Sequence, residues 1–265
     1  MKEDSENIYL ELTREFNQGR TRVIISSGQA VVLHRLAIMS KDGDWIVREE
    51  PEDLDFILNV LERRGAIYRF GAPLDVRWLA GGWSSHFEFP FHGIRVRCDF
   101  FSRPPRVPAD QLGLLWRRQS ERDLPFLDLE TLLRVKQTQR EKDYAVIGEL
   151  ARRLPPDRQL LCGRSARDLI DLASRHHEVA RILSAERELL SHALAGDRDA
   201  LEDALDKERR KLMRADETRL YAYTEATVSW RDAWPTLQNS LKGLPLKTAH
   251  GIILQTAEGM LPFTP

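Results

Sequence analysis

A change of hydrophobic period part-way along the chain constrains its fold more than any other feature. Before RPPRVP (103–108) short apolar runs and alternating segments dominate; after it the apolar residues recur at helical spacing. VIIS (23–26) suits a buried strand, and Gly28 opens the helix-compatible stretch QAVVLHRLAIM (29–39). DWIV (44–47) reads as the next strand. In EEPEDLDFILNVLERRGA, Pro51 suits a first helical turn and Glu52 and Asp53 its positive end. Leu54, Ile57, Leu58 and Leu61 make one stripe, and Gly65 fits the stop. AIYRF, HFEFPF and IRVRCDFF read as strands, the last two joined in a hairpin at His92-Gly93.

These elements predict an α+β chain: a small mixed sheet with flanking helices over residues 1–115, then a mostly helical region over residues 116–265. Roughly four to six helices are expected there, with breaks near LPPDR, CGRS, AGD and WPT. The first of them is expected over about 128–154, packing on the cleft of the preceding core. With 42% hydrophobic and 31% charged residues in 265, the chain can bury one large core or two modest ones.

No window approaches the about 18 uninterrupted apolar residues of a membrane helix, and MKEDSENIYLEL lacks the blocks of a signal peptide, so a cytoplasmic protein without a membrane partner is expected. Cys98 and Cys162 cannot form a disulfide framework, and no Cys/His spacing suits zinc. A balance of 40 Lys+Arg against 41 Asp+Glu excludes a protein that coats nucleic acid by charge alone, while a local basic face stays open.

SKDGDWIV places Asp42 and Asp44 two residues apart at the mouth of a strand, where a period of two points both side chains to one side. Two carboxylates so placed repel unless a cation or basic partner joins them. In IRVRCDFF, Ile94, Val96, Cys98 and Phe100 share one face, and Arg95, Arg97 and Asp99 the other. If this strand neighbours the one after Asp44, the three acids converge on a carboxylate set that suits Mg²⁺. A second reading stays open on spacing alone: KDGD is a polar turn, and Asp99 pairs with an arginine. Asp53 and Asp55, also two apart, fall in a helix and point about 200° from each other. They are expected to serve its N-terminus and solvent face.

Together SSGQAVVLH (26–34), SKDGDWIV (40–47), the PEDL helix and RVRCDFF (95–101) resemble the polymerase-beta-like nucleotidyltransferase superfamily, most of all its bacterial AbiEii-toxin-type members. There a strand ends in a Gly-Gly or Gly-Ser turn, a helix follows, then a Thr-x-Asp-x-Asp strand and a later strand with a third Asp. Here Ser27 takes the place of the first glycine and Ser40 that of the Thr. LDLETLLRVKQTQREKDYAVIGEL resembles the helix that carries cations toward the nucleotide in these proteins, and Leu129, Leu132, Lys136, Arg140, Asp143 and Ile147 follow helical steps. The likeness covers about residues 20–154.

What it implies is a nucleotidyltransferase core that binds Mg²⁺ and takes a nucleoside triphosphate as substrate. Asp42, Asp44 and Asp99 would be the metal-binding and catalytic residues, and Ser27, Gly28, Lys136, Arg140 and Lys142 the nucleotide-binding ones. The acceptor would be an RNA end, a protein side chain or a small molecule. A catalytically silent binding or regulatory module of the same fold, as in a toxin-antitoxin pair, is the competing reading, and a metal-dependent hydrolase a third. His34, His176 and His177 are read as structural. Trp78, Trp83, Phe87, Phe89 and Phe91 suit either base stacking or core packing, and the stretch around Trp83 is expected to form a loop at the cleft.

Overall fold

The computed structural model describes residues 7–265, and these divide into two compact units, residues 7–127 with 221–265, and residues 128–220. The single boundary expected after residue 115 is thus replaced by two, because the last two helices belong with the sheet.

The first unit runs α1 (Ile8–Phe16), β1 (Val23–Ile25), α2 (Ser27–Leu33), β2 (Gly43–Val47), α3 (Pro51–Arg63), β3 (Ile67–Tyr68), α4 (Val76–Ala80), β4 (Ser84–Phe91), β5 (Ile94–Phe101) and α5 (Ala109–Gln119). Its five strands order as β1-β2-β5-β4-β3, with β2 and β5 parallel and every other pair antiparallel. The hairpin between β4 and β5 turns through His92 and Gly93, at φ 46° and 76°. Two positive φ values match the right-handed twist of the flanking strands.

One face of the sheet is aromatic. Trp45 on β2 stacks on Phe100 on β5 at 5.3 Å, while Phe16 from α1 stands edge-on to both, at 5.4 and 5.6 Å. Burying such rings contributes about 2–3 kcal/mol each. The Trp45 indole N–H finds Thr13 Oγ1 at 2.9 Å, so this donor is satisfied within the core. The aromatic residues Trp78, Trp83, Phe87 and Phe89 are buried as well, which settles them as packing groups rather than base-stacking ones. The stretch after Gly82 is not a loop: Ser84 already begins β4.

Helix α2 ends at Leu33 instead of running through Met39; Arg35 turns into the left-handed region at φ 58°, and Ile38 is 99% exposed. Asp53 also departs from expectation. It is fully buried, gripped by Arg20 at 2.5 Å and Arg22 at 2.9 Å.

The second unit holds α6 (Leu129–Val135), α7 (Glu141–Ala151), α8 (Pro156–Cys162), α9 (Ala166–Arg175), α10 (His177–Leu183), α11 (Leu190–Ala195) and the residues of α12 (Arg198–Ala226) up to Leu220. Helices α13 (Val228–Ser240) and α14 (Leu246–Met260) return to the first. Among the described residues nine helices follow Asp128, more than expected, since the stretch 128–154 is broken into α6 and α7. Conversely, α13 continues through Pro235, where a break was expected.

The second unit packs on its own apolar cluster, with Leu160, Leu169, Leu190 and Leu201 fully buried. Buried Arg187 donates to the carbonyls of Leu160 (2.7 Å) and Gly163 (2.9 Å) and pairs with Glu208 at 2.7 Å, which satisfies the C-terminal end of α8. No helix of the described residues is long and apolar enough to cross a membrane.

Candidate functional site

The site lies on the polar face of the sheet, and strand register builds it. Pairing of β2 with β5 sets Asp44 directly beside Asp99, and pairing of β5 with β4 sets Asp99 beside His86. A row Asp44–Asp99–His86 therefore crosses three strands. Arg97 and Glu88 are likewise opposite each other, and Arg97 Nη1 reaches Asp42 Oδ1 at 3.6 Å, which makes a second row of alternating charge.

Two carboxylates side by side on adjacent strands repel each other, by a few tenths of a kcal/mol or more. On one side the structure answers that repulsion with nitrogen. His86 Nδ1 lies 2.7 Å from Asp99 Oδ1, and Arg69 Nη1 approaches the same oxygen at 3.4 Å while its Nε faces Glu88 at 3.6 Å. Asp42 lies on the other side, with an Oδ1 that is buried and accepts no hydrogen bond. Asp44 and Asp99 are thus neighbours by register, while the Asp42 and Asp99 carboxylates turn to separate cations, Arg97 and the Arg69–His86 pair. Among the described residues no three His, Cys, Asp or Glu side chains are gathered as a ligand set.

The segment that carries Asp42 is pinned by its backbone. Buried Gln29 Nε2 donates to the carbonyls of Ser40 (3.2 Å) and Asp42 (3.4 Å), and the Tyr9 hydroxyl donates to that of Lys41 at 2.5 Å. Burial pushes the Tyr9 hydroxyl up to about 12, so it stays a donor at neutral pH.

Opposite this segment runs the turn from β1 into α2. Ser26 N–H donates to the Asp44 carbonyl at 2.8 Å, and the Ser26 hydroxyl is buried without a hydrogen-bond partner. Ser27 takes φ 46°, a conformation that L-residues adopt at a cost of about 1–2 kcal/mol. Gly28 passes so close to Ser40 that a Cβ would lie 2.2 Å from its hydroxyl oxygen.

In the second unit, Lys136 is buried and pairs with Asp143 at 3.5 Å, and Arg140 reaches the same carboxylate at 2.8 Å. Lys142 is exposed. Lys136 and Arg140 therefore share one buried acid across the break between α6 and α7, and do not form the continuous helical stripe that their spacing predicted.

The sequence reading did not single out His86, Arg69 or Gln29. His86 had a signal, since it shares the polar face of an alternating strand; Gln29 acts through loop carbonyls that no periodicity reveals.

No family model matches the chain, and no curated protein matches it. It is similar to a crystal structure of a provisionally assigned nucleotidyltransferase from H. pylori, at 11% identity over 82% of this chain and 98% of that one, with a TM-score of 0.39.

Proposed function

We propose that the chain is a Mg²⁺-dependent nucleotidyltransferase that moves a nucleoside monophosphate from a nucleoside triphosphate to an acceptor hydroxyl. The observation that carries this reading is the pairing of Asp44 with Asp99 on adjacent parallel strands, with Asp42 at the mouth of the same strand. The three would hold the cation: their oxygens are the hard donors Mg²⁺ takes, and Asp42 Oδ1 is buried and accepts no hydrogen bond, facing only Arg97 Nη1 at 3.6 Å. When bound, that ion supplies positive charge at the phosphates and favours attack on phosphorus.

The protein's own groups do the rest. Ser26 and Ser27 offer hydroxyl donors to phosphate oxygen, and Gly28 lets the backbone approach. Asp99 accepts the proton of the acceptor hydroxyl, and Arg69 holds the face near neutrality. RNA ends, protein side chains and small alcohols are the acceptor classes to try. One observation favours a second reading, a catalytically silent binding module: His86 and Arg69 already engage Asp99.

Calorimetry with each of the four ribonucleoside triphosphates, with and without Mg²⁺, tests the proposal on the wild type and on Asp42→Ala/Asp44→Ala. The expected result is Mg²⁺-dependent binding that the double variant loses. No binding by the wild type overturns it. Binding without pyrophosphate release over a panel of the three acceptor classes selects the silent module.

A further inference from the structure

The chain leaves α14 through Leu261, in an extended conformation at φ −122° and ψ 112°. The next residues cross a slot formed by α4 and the turn after it. Trp78 Nε1 donates to the Leu261 carbonyl at 3.1 Å, and Trp83 Nε1 to the Pro262 carbonyl at 3.0 Å. Two buried indoles thus read two successive backbone carbonyls, and Pro262 brings no N–H to leave unsatisfied. Phe263 stands edge-on to Trp78 at 4.8 Å, with the Arg77 guanidinium 5.4 Å from its centroid.

The slot's floor is glycine for a steric reason: a Cβ on Gly81 would lie 1.7 Å from the Phe263 carbonyl oxygen. Its wall is fixed from behind, where the Tyr223 hydroxyl donates to the Gly81 carbonyl at 3.1 Å and the Tyr223 ring packs edge-on to Trp83 at 4.8 Å. Directed donors for main-chain oxygen, an aromatic contact and a floor open to close backbone approach are the parts of a peptide-recognition site.

We propose that the Trp78–Trp83 slot is a recognition site for an extended Leu-Pro-Phe peptide, filled in cis by Leu261–Phe263 and in trans by the same segment of a second copy. The indoles recognise backbone whatever the side chain. Selectivity comes from buried Leu261 and from the Phe263 ring on Trp78. The tethered segment competes at an effective concentration on the order of millimolar, so a free peptide reaches the wild-type slot only at comparable concentration.

A fluorescent peptide with the sequence of residues 260–265 is titrated into the full chain and into Leu261→Ala/Phe263→Ala, which weakens the occupant and leaves the slot intact. The variant is expected to bind on the order of tenfold or more tightly than the wild type, and to lose binding once Gly81→Ala is added. Mixing the double variant with the Gly81→Ala chain, whose displaced segment is intact, is expected to give a heterodimer that neither forms alone. Absence of peptide binding to the folded variant, binding that survives Gly81→Ala, or absence of the heterodimer overturns the proposal. Should either variant fail to fold, the wild type is irradiated with millimolar peptide bearing a photoreactive phenylalanine analogue at the position of Phe263. Adducts within residues 77–83 support the slot, and adducts absent or elsewhere overturn it.

Discussion

Ser27 and Asp53 show what single residues contribute. Ser27 carries backbone strain at φ 46°, and glycine there would relieve it. Ser27→Gly is expected to stabilise the fold by about 1 kcal/mol, seen as a higher urea midpoint at unchanged slope; a lower midpoint would mean that the hydroxyl does more for stability than the strain costs. Asp53 is buried between Arg20 and Arg22, so Asp53→Ala removes the buried carboxylate that both guanidiniums share. A loss of about 3 kcal/mol in denaturant unfolding is expected, and a loss below about 1 kcal/mol would rule out this account of the pair. Alternation along IRVRCDFF placed Asp99 on a polar face correctly. Its partner His86 was not legible, because the choice of neighbour is made by the register of β4, which a single strand's pattern does not contain. Asp53 misled for a related reason: position in a helix's first turn predicts a cap, and only the tertiary approach of Arg20 and Arg22 buries it.

Helices and strands were more legible than their ends. Pro51 and Gly65 bracket α3 as their chemistry requires, and His92-Gly93 makes the hairpin. The split between α6 and α7 escaped detection because the apolar and cationic steps stay in phase across it; the chain turns there to bring Lys136 and Arg140 to one carboxylate. The C-terminal helices carry a pH dependence that also needs the structure. The Tyr68 hydroxyl accepts the Leu74 N–H at 3.1 Å and lies 2.7 Å from His250 Nδ1 on α14. Burial of the His250 ring disfavours its charged form and lowers its pKa to about 4. Because the unfolded side chain titrates near 6.5, the unfolded state binds the extra proton between those values. Stability should therefore fall as pH drops from about 6.5 toward 4, by up to about 3 kcal/mol, and His250→Gln should flatten that slope. Equal slopes in the variant and the wild type, measured by urea unfolding across this window, would exclude His250 as the source.

The molecule's two units differ in their chromophores. All six tryptophans, Trp45, Trp78, Trp83, Trp116, Trp230 and Trp234, belong to the unit that holds the sheet. Tryptophan fluorescence therefore follows that unit, while far-ultraviolet dichroism is weighted to the helices of both. Leu169→Ala, in the core of the second unit, is expected to cost about 2–5 kcal/mol and to shift the dichroism transition while leaving the fluorescence midpoint in place. A common shift in both signals would show that the chain unfolds as one cooperative body.

The parallel pairing of β2 with β5 also bears on how the candidate site comes into being. Most strand contacts in this sheet join near neighbours, but Asp44 meets Asp99 only after α3, β3, α4 and β4 have been gathered between them. Such a contact must close a long loop before it returns any favourable energy, so the carboxylates assemble late, after the hairpin that carries Asp99 and His86. A growing or refolding chain would then form its antiparallel strand pairs first and bring the candidate site together, along with the centre of the sheet, last.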